Sequence, residues 1–301
     1  MRKREKIGIV CILAALLLCG CLQKSQKFPQ AEQTEAQTKL QTERQTEQAA
    51  EQTDPAKEKT TSCLSPEQVH PPRQGLQSEE PLLAPVRPQV LMYHAVSDTP
   101  FSPLTSLFVR PADLRAHIDA LQQQGYRFYF ADEYAERPEK SVILTFDDGY
   151  EDNYTELFPI LQESGAVATV FLIQNCVGQK NYLSEEQILQ MQASGLVRFG
   201  CHTADHVDLA GQSAQEMKEQ MQSCKRYLEA LLGEPCRSVA YPYGSYNENV
   251  CRAAGELFSF GYTTDNPCRF AKTGNAPMAL PRHYISRGMS AVGVLERLDG
   301  E

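Results

Sequence analysis

Apolar runs and amphipathic segments alternate along this chain from residue 89 to residue 285, and few architectures accept that alternation. Runs at 89–93, 126–130, 142–146, 167–173, 197–201, 238–241, 258–262 and 280–285 read as strands. Between them, 111–124, 151–163, 184–194, 213–232 and 247–255 read as helices. Leu114, Ile118 and Leu121 show the helical spacing in the first, with Pro111 suited to its start and Gly125 to its stop. Pro159 falls inside a helical pattern and predicts a kink or restart there. Such alternation implies an α/β fold with a mostly parallel sheet. About seven strands, with the chemistry-bearing residues at their C-terminal ends, favour a distorted (β/α) barrel. A doubly wound open sheet would place its loops similarly, so spacing alone leaves it open.

The strand ends carry that chemistry. Val142-Ile143-Leu144 runs into Thr145-Phe146-Asp147-Asp148-Gly149-Tyr150. Adjacent strand side chains point to opposite faces, so two aspartates serving one site need a bend just past the strand. Gly149 permits it. Adjacent carboxylates repel unless a cation or a shared proton compensates. After a second apolar run, Leu196-Val197-Arg198-Phe199-Gly200, comes His202-Thr203-Ala204-Asp205-His206. Its two imidazoles can converge from one helical turn or a tight loop. Asp147-Asp148 alone reads as a loop or cap, and the histidine pair alone is as often a surface pair. Together, each at a strand end, they read as a divalent-metal site with an open coordination position.

Three further segments fit the same end of a sheet. Ser238-Val239-Ala240 leads into the turn Tyr241-Pro242-Tyr243-Gly244, whose backbone N–H groups could serve a developing oxyanion, although most such turns are only turns. Val90-Leu91-Met92-Tyr93 ends at His94, which as a bland reading is a strand-end histidine satisfied by backbone. Leu280-Pro281-Arg282-His283-Tyr284 offers a cation able to pair with a carboxylate.

The Thr-Phe-Asp-Asp-Gly, His-Thr-x-x-His and Tyr-Pro-Tyr-Gly segments, in this order, resemble the polysaccharide deacetylases (NodB-homology, carbohydrate esterase family four) over roughly 86–299. The resemblance implies a barrel rather than an open sheet. It further implies Asp147 as general base, Asp148, His202 and His206 as metal ligands, and the Tyr243 N–H in an oxyanion hole. The metal so implied is zinc, with cobalt or nickel as alternatives. Two features depart from the common pattern. Ala240-Tyr241 stands where many members carry an arginine, and the late Asp-x-x-Asp-Trp and Leu-x-His motifs are missing from a chain with no tryptophan. The opening Leu91-Met92-Tyr93-His94-Ala95-Val96 is similar to the branch that deacetylates poly-β-1,6-N-acetylglucosamine, whose motif order is permuted. That likeness implies His94 as general acid, with His283 as fallback, and Arg282 as partner of Asp147.

Residues 1–85 are a different object. Arg2, Lys3, Arg4 and Lys6 precede the apolar run Ile7 to Leu18, too short for a comfortable span and suited to a signal peptide over 1–20. The following Cys19-Gly20-Cys21 resembles a lipobox, which would make Cys21 a lipidated mature N-terminus; an ordinary or uncleaved signal is the alternative. Residues 21–85 repeat Gln-Thr-Glu with almost no large apolar side chain and cannot bury enough surface to order themselves. They read as a disordered tether, its prolines from Pro66 to Pro88 stiffening the approach to a catalytic domain over 86–301. Its reach, on the order of 45 Å, suits an enzyme fixed to the outer face of a membrane and working on polymer beyond it.

About 215 residues remain for one core. The net charge of −9 excludes nucleic acid as the expected partner. Seven cysteines follow Cys21 at spacings unlike a zinc ribbon, and Cys201, adjacent to His202 on the opposite strand face, reads as apolar filler. The expected reaction is metal-assisted removal of N-acetyl groups from an N-acetylglucosamine polymer, exopolysaccharide or peptidoglycan. An O-acetyl esterase of xylan type, or a decayed glycan-binding lipoprotein, are the alternatives.

Overall fold

The computed structural model describes residues 87–137, 140–267 and 277–299. The signal segment, the tether, Cys21, Cys63 and Cys268 lie outside them. Among the described residues there are ten strands: β1 (Gln89–Tyr93), β2 (Ala95–Val96), β3 (Phe108–Val109), β4 (Arg127–Tyr129), β5 (Ser141–Phe146), β6 (Ala168–Leu172), β7 (Val197–Cys201), β8 (Ser238–Ala240), β9 (Phe260–Tyr262) and β10 (His283–Tyr284). Seven of them run in the order β10-β1-β5-β6-β7-β8-β9, every pairing parallel. β5 divides one edge between two partners, β4 along Ser141–Ile143 and β6 along Leu144–Phe146.

A parallel strand buried on both faces reads as an unbroken apolar run, and β5 is buried at all six positions. Its alternate residues serve two different cores. Val142, Leu144 and Phe146 join Leu91, Tyr93, Val170 and Val239 in the large cluster under the helices. Ile143 joins Val90, Phe171, Ala240 and Tyr262 in a smaller one. Residues of β1, β6 and β9 share a cluster only across the inside of a curling sheet. The curl is completed by residues 280–284: Leu280 bridges Tyr262 of β9 and His283 pairs with Leu91 of β1, both parallel. The architecture is a distorted (β/α) barrel. The strand anticipated over 280–285 is regular only at His283–Tyr284, because Pro281 has no N–H and the Arg282 N–H turns to the Asp265 carbonyl while the segment changes partner.

The α-helices among the described residues are α1 (Pro111–Gln123), α2 (Phe158–Ser164), α3 (Glu185–Ala193), α4 (Ala214–Leu232), α5 (Glu248–Gly255) and α6 (Ala291–Asp299). α1 buries Leu114, Ile118 and Leu121, and Gly125 follows it in the left-handed conformation. α3 and α4 each start from a reciprocal serine cap, Ser184 with Gln187 and Ser213 with Glu216. The expected break at Pro159 is a restart. A π-helical turn over Asn153–Leu157 hands over to α2 with Pro159 in its first turn, where a missing N–H costs nothing. Two pieces were not anticipated: the two-stranded ribbon of β2 and β3, and α6, which packs on α1 and buries Val294 and Leu298.

Candidate active site

Alternation along β5 points Ile143, Thr145 and then Asp147 into the ring. Asp147 closes the strand register with its N–H on the Tyr93 carbonyl at 3.0 Å. Asp148 would by the same alternation face the helices. Instead Asp148 (φ 77°) and Gly149 (φ 76°) are both left-handed, and the bend swings Asp148 back to the site. A side chain on Gly149 would run into Leu172.

His202 continues the inward face of β7 while Cys201 faces the helix layer and is buried there. The His202 Nδ1 lies 2.8 Å from the Ala240 carbonyl, which can only accept, so the proton sits on Nδ1 and the Nε2 lone pair is free. Residues 202–206 form a tight loop rather than a helical turn. Thr203 (φ 66°) and His206 (φ 55°) are left-handed, and the His206 N–H bonds Thr203 Oγ1 at 3.0 Å. Between them Asp205 is gripped by Asn175 Nδ2 (2.6 Å) and Gln220 Nε2 (2.7 Å), which fixes the loop from both sides.

The result is a cluster of Asp148, His202 and His206 with one donor atom each inside 4.8 Å of the others. Asp148 Oδ1 is 3.4 Å from each Nε2 and is a buried oxygen with no hydrogen-bond partner among the described residues. Two free imidazole lone pairs converging on an orphaned carboxylate oxygen are the donor set of a borderline-soft divalent cation, and the residues fit such an ion. Burial pushes Asp148 upward, but the facing imidazoles of His202, His206 and His94 favour its ionised form and hold it below the ordinary carboxylate range. His206 is lowered by burial to about 4, so its nitrogen is unprotonated near neutrality.

Asp147 is held differently. Arg282, itself fully buried, meets it in a two-pronged pair, Nη1 to Oδ1 and Nη2 to Oδ2 at 2.7 Å each. The guanidinium is oriented by Nε to the Thr263 carbonyl (2.9 Å) and Nη1 to Thr145 Oγ1 (3.1 Å). Burial raises the Asp147 carboxyl, and the charge and hydrogen bonds of Arg282 more than compensate, so it stays ionised. The cation therefore arrives from the far end of the chain, in place of the residue missing before Pro242.

His94 follows β1 at the same rim. Its Nδ1 is buried without a hydrogen-bond partner among the described residues, its ring lies edge-on to Tyr284 at 6.2 Å, and Asn153 Nδ2 holds its carbonyl. Burial outweighs the pull of Asp148 and Asp147 and lowers the imidazole below its ordinary value. His283 is not part of the site: its Nε2 is 2.9 Å from Gln89 Oε1 at the opposite end of β1, and its charged neighbour is Arg297. The turn Pro242–Gly244 sets Tyr243 (φ 59°) against His206, ring centroids 4.6 Å apart. Its two hydrogen bonds use the Gly244 and Ser245 N–H groups, leaving the Tyr243 N–H outside them.

Four of the five left-handed non-glycine residues among those described, Asp148, Thr203, His206 and Tyr243, belong to this one rim. Such strain is concentrated where surrounding structure enforces it for function. Thr145 opens the Thr-Phe-Asp-Asp-Gly segment, but its role of aiming Arg282 was not read from the sequence, and Thr263 and Asn153, which help position Arg282 and His94, were not singled out at all. Their partners lie on other strands, so their local patterns do not show these contacts.

Comparisons with known proteins agree with the geometry. The family model described as polysaccharide deacetylase matches residues 134–262. YxkH of Bacillus subtilis (strain 168), a protein named for the same family, is 33% identical over 214 residues, covering 68% of this chain and 74% of that protein. The poly-β-1,6-N-acetyl-D-glucosamine N-deacetylase of Staphylococcus aureus (strain MRSA252) is 28% identical over 41% of this chain and 48% of its own length. Among solved structures, the Streptococcus pyogenes deacetylase PplD in complex with acetate superposes with a TM-score of 0.64 at 30% identity, covering 71% of this chain and 99% of that one. With motifs, barrel and relatives in agreement, this chain belongs to the polysaccharide deacetylase family, hydrolases that act on amide bonds.

Proposed function

We propose that the protein removes N-acetyl groups from an N-acetylglucosamine polymer outside the cell, releasing acetate, and does so with a divalent ion, zinc before cobalt or nickel. The observation that carries this reading is one rim holding a buried carboxylate locked by Arg282 beside the Asp148, His202, His206 donor set. The S. aureus relative, named for N-deacetylation of such a polymer, supports the substrate class.

Asp148, His202 and His206 would hold a divalent ion, which would supply Lewis-acid polarisation of the acetamide carbonyl and a lowered pKa of water there. Asp147, ionised and unable to rotate in the grip of Arg282, takes the proton of the attacking water. The Tyr243 N–H, free of its own turn, donates to the oxygen that becomes negative when the carbonyl turns tetrahedral. His94, once protonated, gives its proton to the departing sugar nitrogen; Asp148 and Asp147 are the neighbouring charges that favour that form against the burial that lowers it. Export by residues 1–20 and attachment through a lipid on Cys21 would place this chemistry at a membrane surface, with 21–85 as tether. The test is acetate release from β-1,6- and β-1,4-linked N-acetylglucosamine oligomers and from acetylated xylan. Release from an N-acetylated oligomer is expected, and its linkage preference names the polymer. Release from the xylan alone would move the assignment to an O-acetyl esterase.

A further inference from the structure

We infer that Phe101, on the loop between β2 and β3, is a stacking platform for a pyranose ring of the glycan next to the sugar being deacetylated. The inference rests on the deacetylase reading and assigns that site a second point of contact. Phe101 is 44% exposed, and the other large exposed apolar residues among those described, Leu189 and Val292, lie on α3 and α6. Phe101 alone of the three stands beside the site. Its ring meets Tyr150 at 5.3 Å (71°) and Phe108 at 4.7 Å (88°), both edge-on. Tyr150 follows Asp148 by two residues and is itself backed by Tyr182 at 5.2 Å. One aromatic ring therefore separates Phe101 from the proposed metal-binding carboxylate.

The loop is built to hold that ring still. The Arg287 guanidinium donates to the carbonyls of Ser97 (2.9 Å), Phe108 (2.8 Å) and Asp98 (2.9 Å). The Arg287 N–H bonds the Ser106 carbonyl at 2.9 Å, and the Tyr284 hydroxyl donates to Ser106 Oγ at 3.2 Å. Beneath it Ala95, Leu107 and Phe108 form a small core of their own, separate from the two barrel cores. An exposed aromatic ring immobilised before binding loses little entropy when a ligand covers it. Phenylalanine has no polar group to offer, so the surface it recognises is apolar and flat. A β-linked glucosamine ring carries its substituents equatorially and presents such a face of C–H groups. The metal and Asp147 would then select the acetamide, and Phe101 the presence of a neighbouring sugar.

The chain has no tryptophan, so Phe101→Trp places a single indole reporter at this position in the full-length protein. Titration with a β-linked N-acetylglucosamine hexamer is expected to change its emission saturably. In Phe101→Ala, the ratio of kcat/KM for the hexamer to that for 4-nitrophenyl acetate is expected to fall by about tenfold, through KM for the hexamer. Equal losses on both substrates would assign Phe101 to packing and overturn the proposal. So would emission that a saturating hexamer leaves unchanged, or that responds to anionic lipid vesicles and not to the hexamer. If the wild-type protein released no acetate from the hexamer, the deacetylase reading would fail by itself, while the emission titration would still decide the role of Phe101.

Discussion

Asp147 and Arg282 are 135 residues apart in sequence and share one buried, two-pronged ion pair. Burying both charges is expensive, and the pair is tolerated because every prong of the fork meets an acceptor. Its value lies in orientation: the carboxylate cannot turn from the position where water must deliver a proton. Arg282→Ala leaves that carboxylate buried without its cation. We expect unfolding in urea to report a loss of about 3–5 kcal/mol. Arg282→Lys keeps the charge and loses the fork, so it should retain more stability than Arg282→Ala yet lower kcat. An alanine variant as stable as the parent would show that water reaches Asp147 in solution.

At the scale of elements, the strands of the main sheet and five helices were readable because each has its own period and punctuation. Ser213 with Glu216 marks the start of α4 in the sequence and caps it in the fold. Ser213→Ala should therefore cost about 1 kcal/mol in urea unfolding, and no change would mean that packing alone fixes that helix end. β2 and β3 were missed because two residues carry no period. α6 was missed because Gly293 weakens its pattern, although Ser290, whose hydroxyl accepts from the Gly293 N–H, was a legible start signal. The metal cluster was legible because two motifs each sit at a strand end. Which carbonyl fixes the His202 tautomer, or which threonines aim Arg282, was not, since register across the ring decides it.

At the scale of the whole molecule, the ring closes through the thin seam 280–284, and that seam carries a buried histidine. Burial, with Arg297 nearby, lowers His283 to about 4 from its ordinary 6.5, so the fold requires the neutral ring. The sign follows: this stability is complete above pH 6.5 and is lost as pH falls toward 4, to the extent of about 3 kcal/mol. His117, between the Tyr93 hydroxyl and the Met289 carbonyl, is lowered by burial as well and adds in the same direction. Unfolding midpoints measured from pH 7.5 to 4.5 should fall, and His283→Gln should flatten part of the slope. A midpoint independent of pH in that range would place both histidines in contact with water.

The central claim is that Asp148, His202 and His206 hold the ion on which acetate release depends, and the decisive measurement is a metal titration of the stripped protein with acetate release as the readout. The account expects negligible release after chelation and recovery that saturates at one zinc ion per chain. With Asp148→Asn, the zinc needed for half-recovery should rise at least about 100-fold. Full release from the stripped protein, or an unshifted titration in the variant, would contradict it.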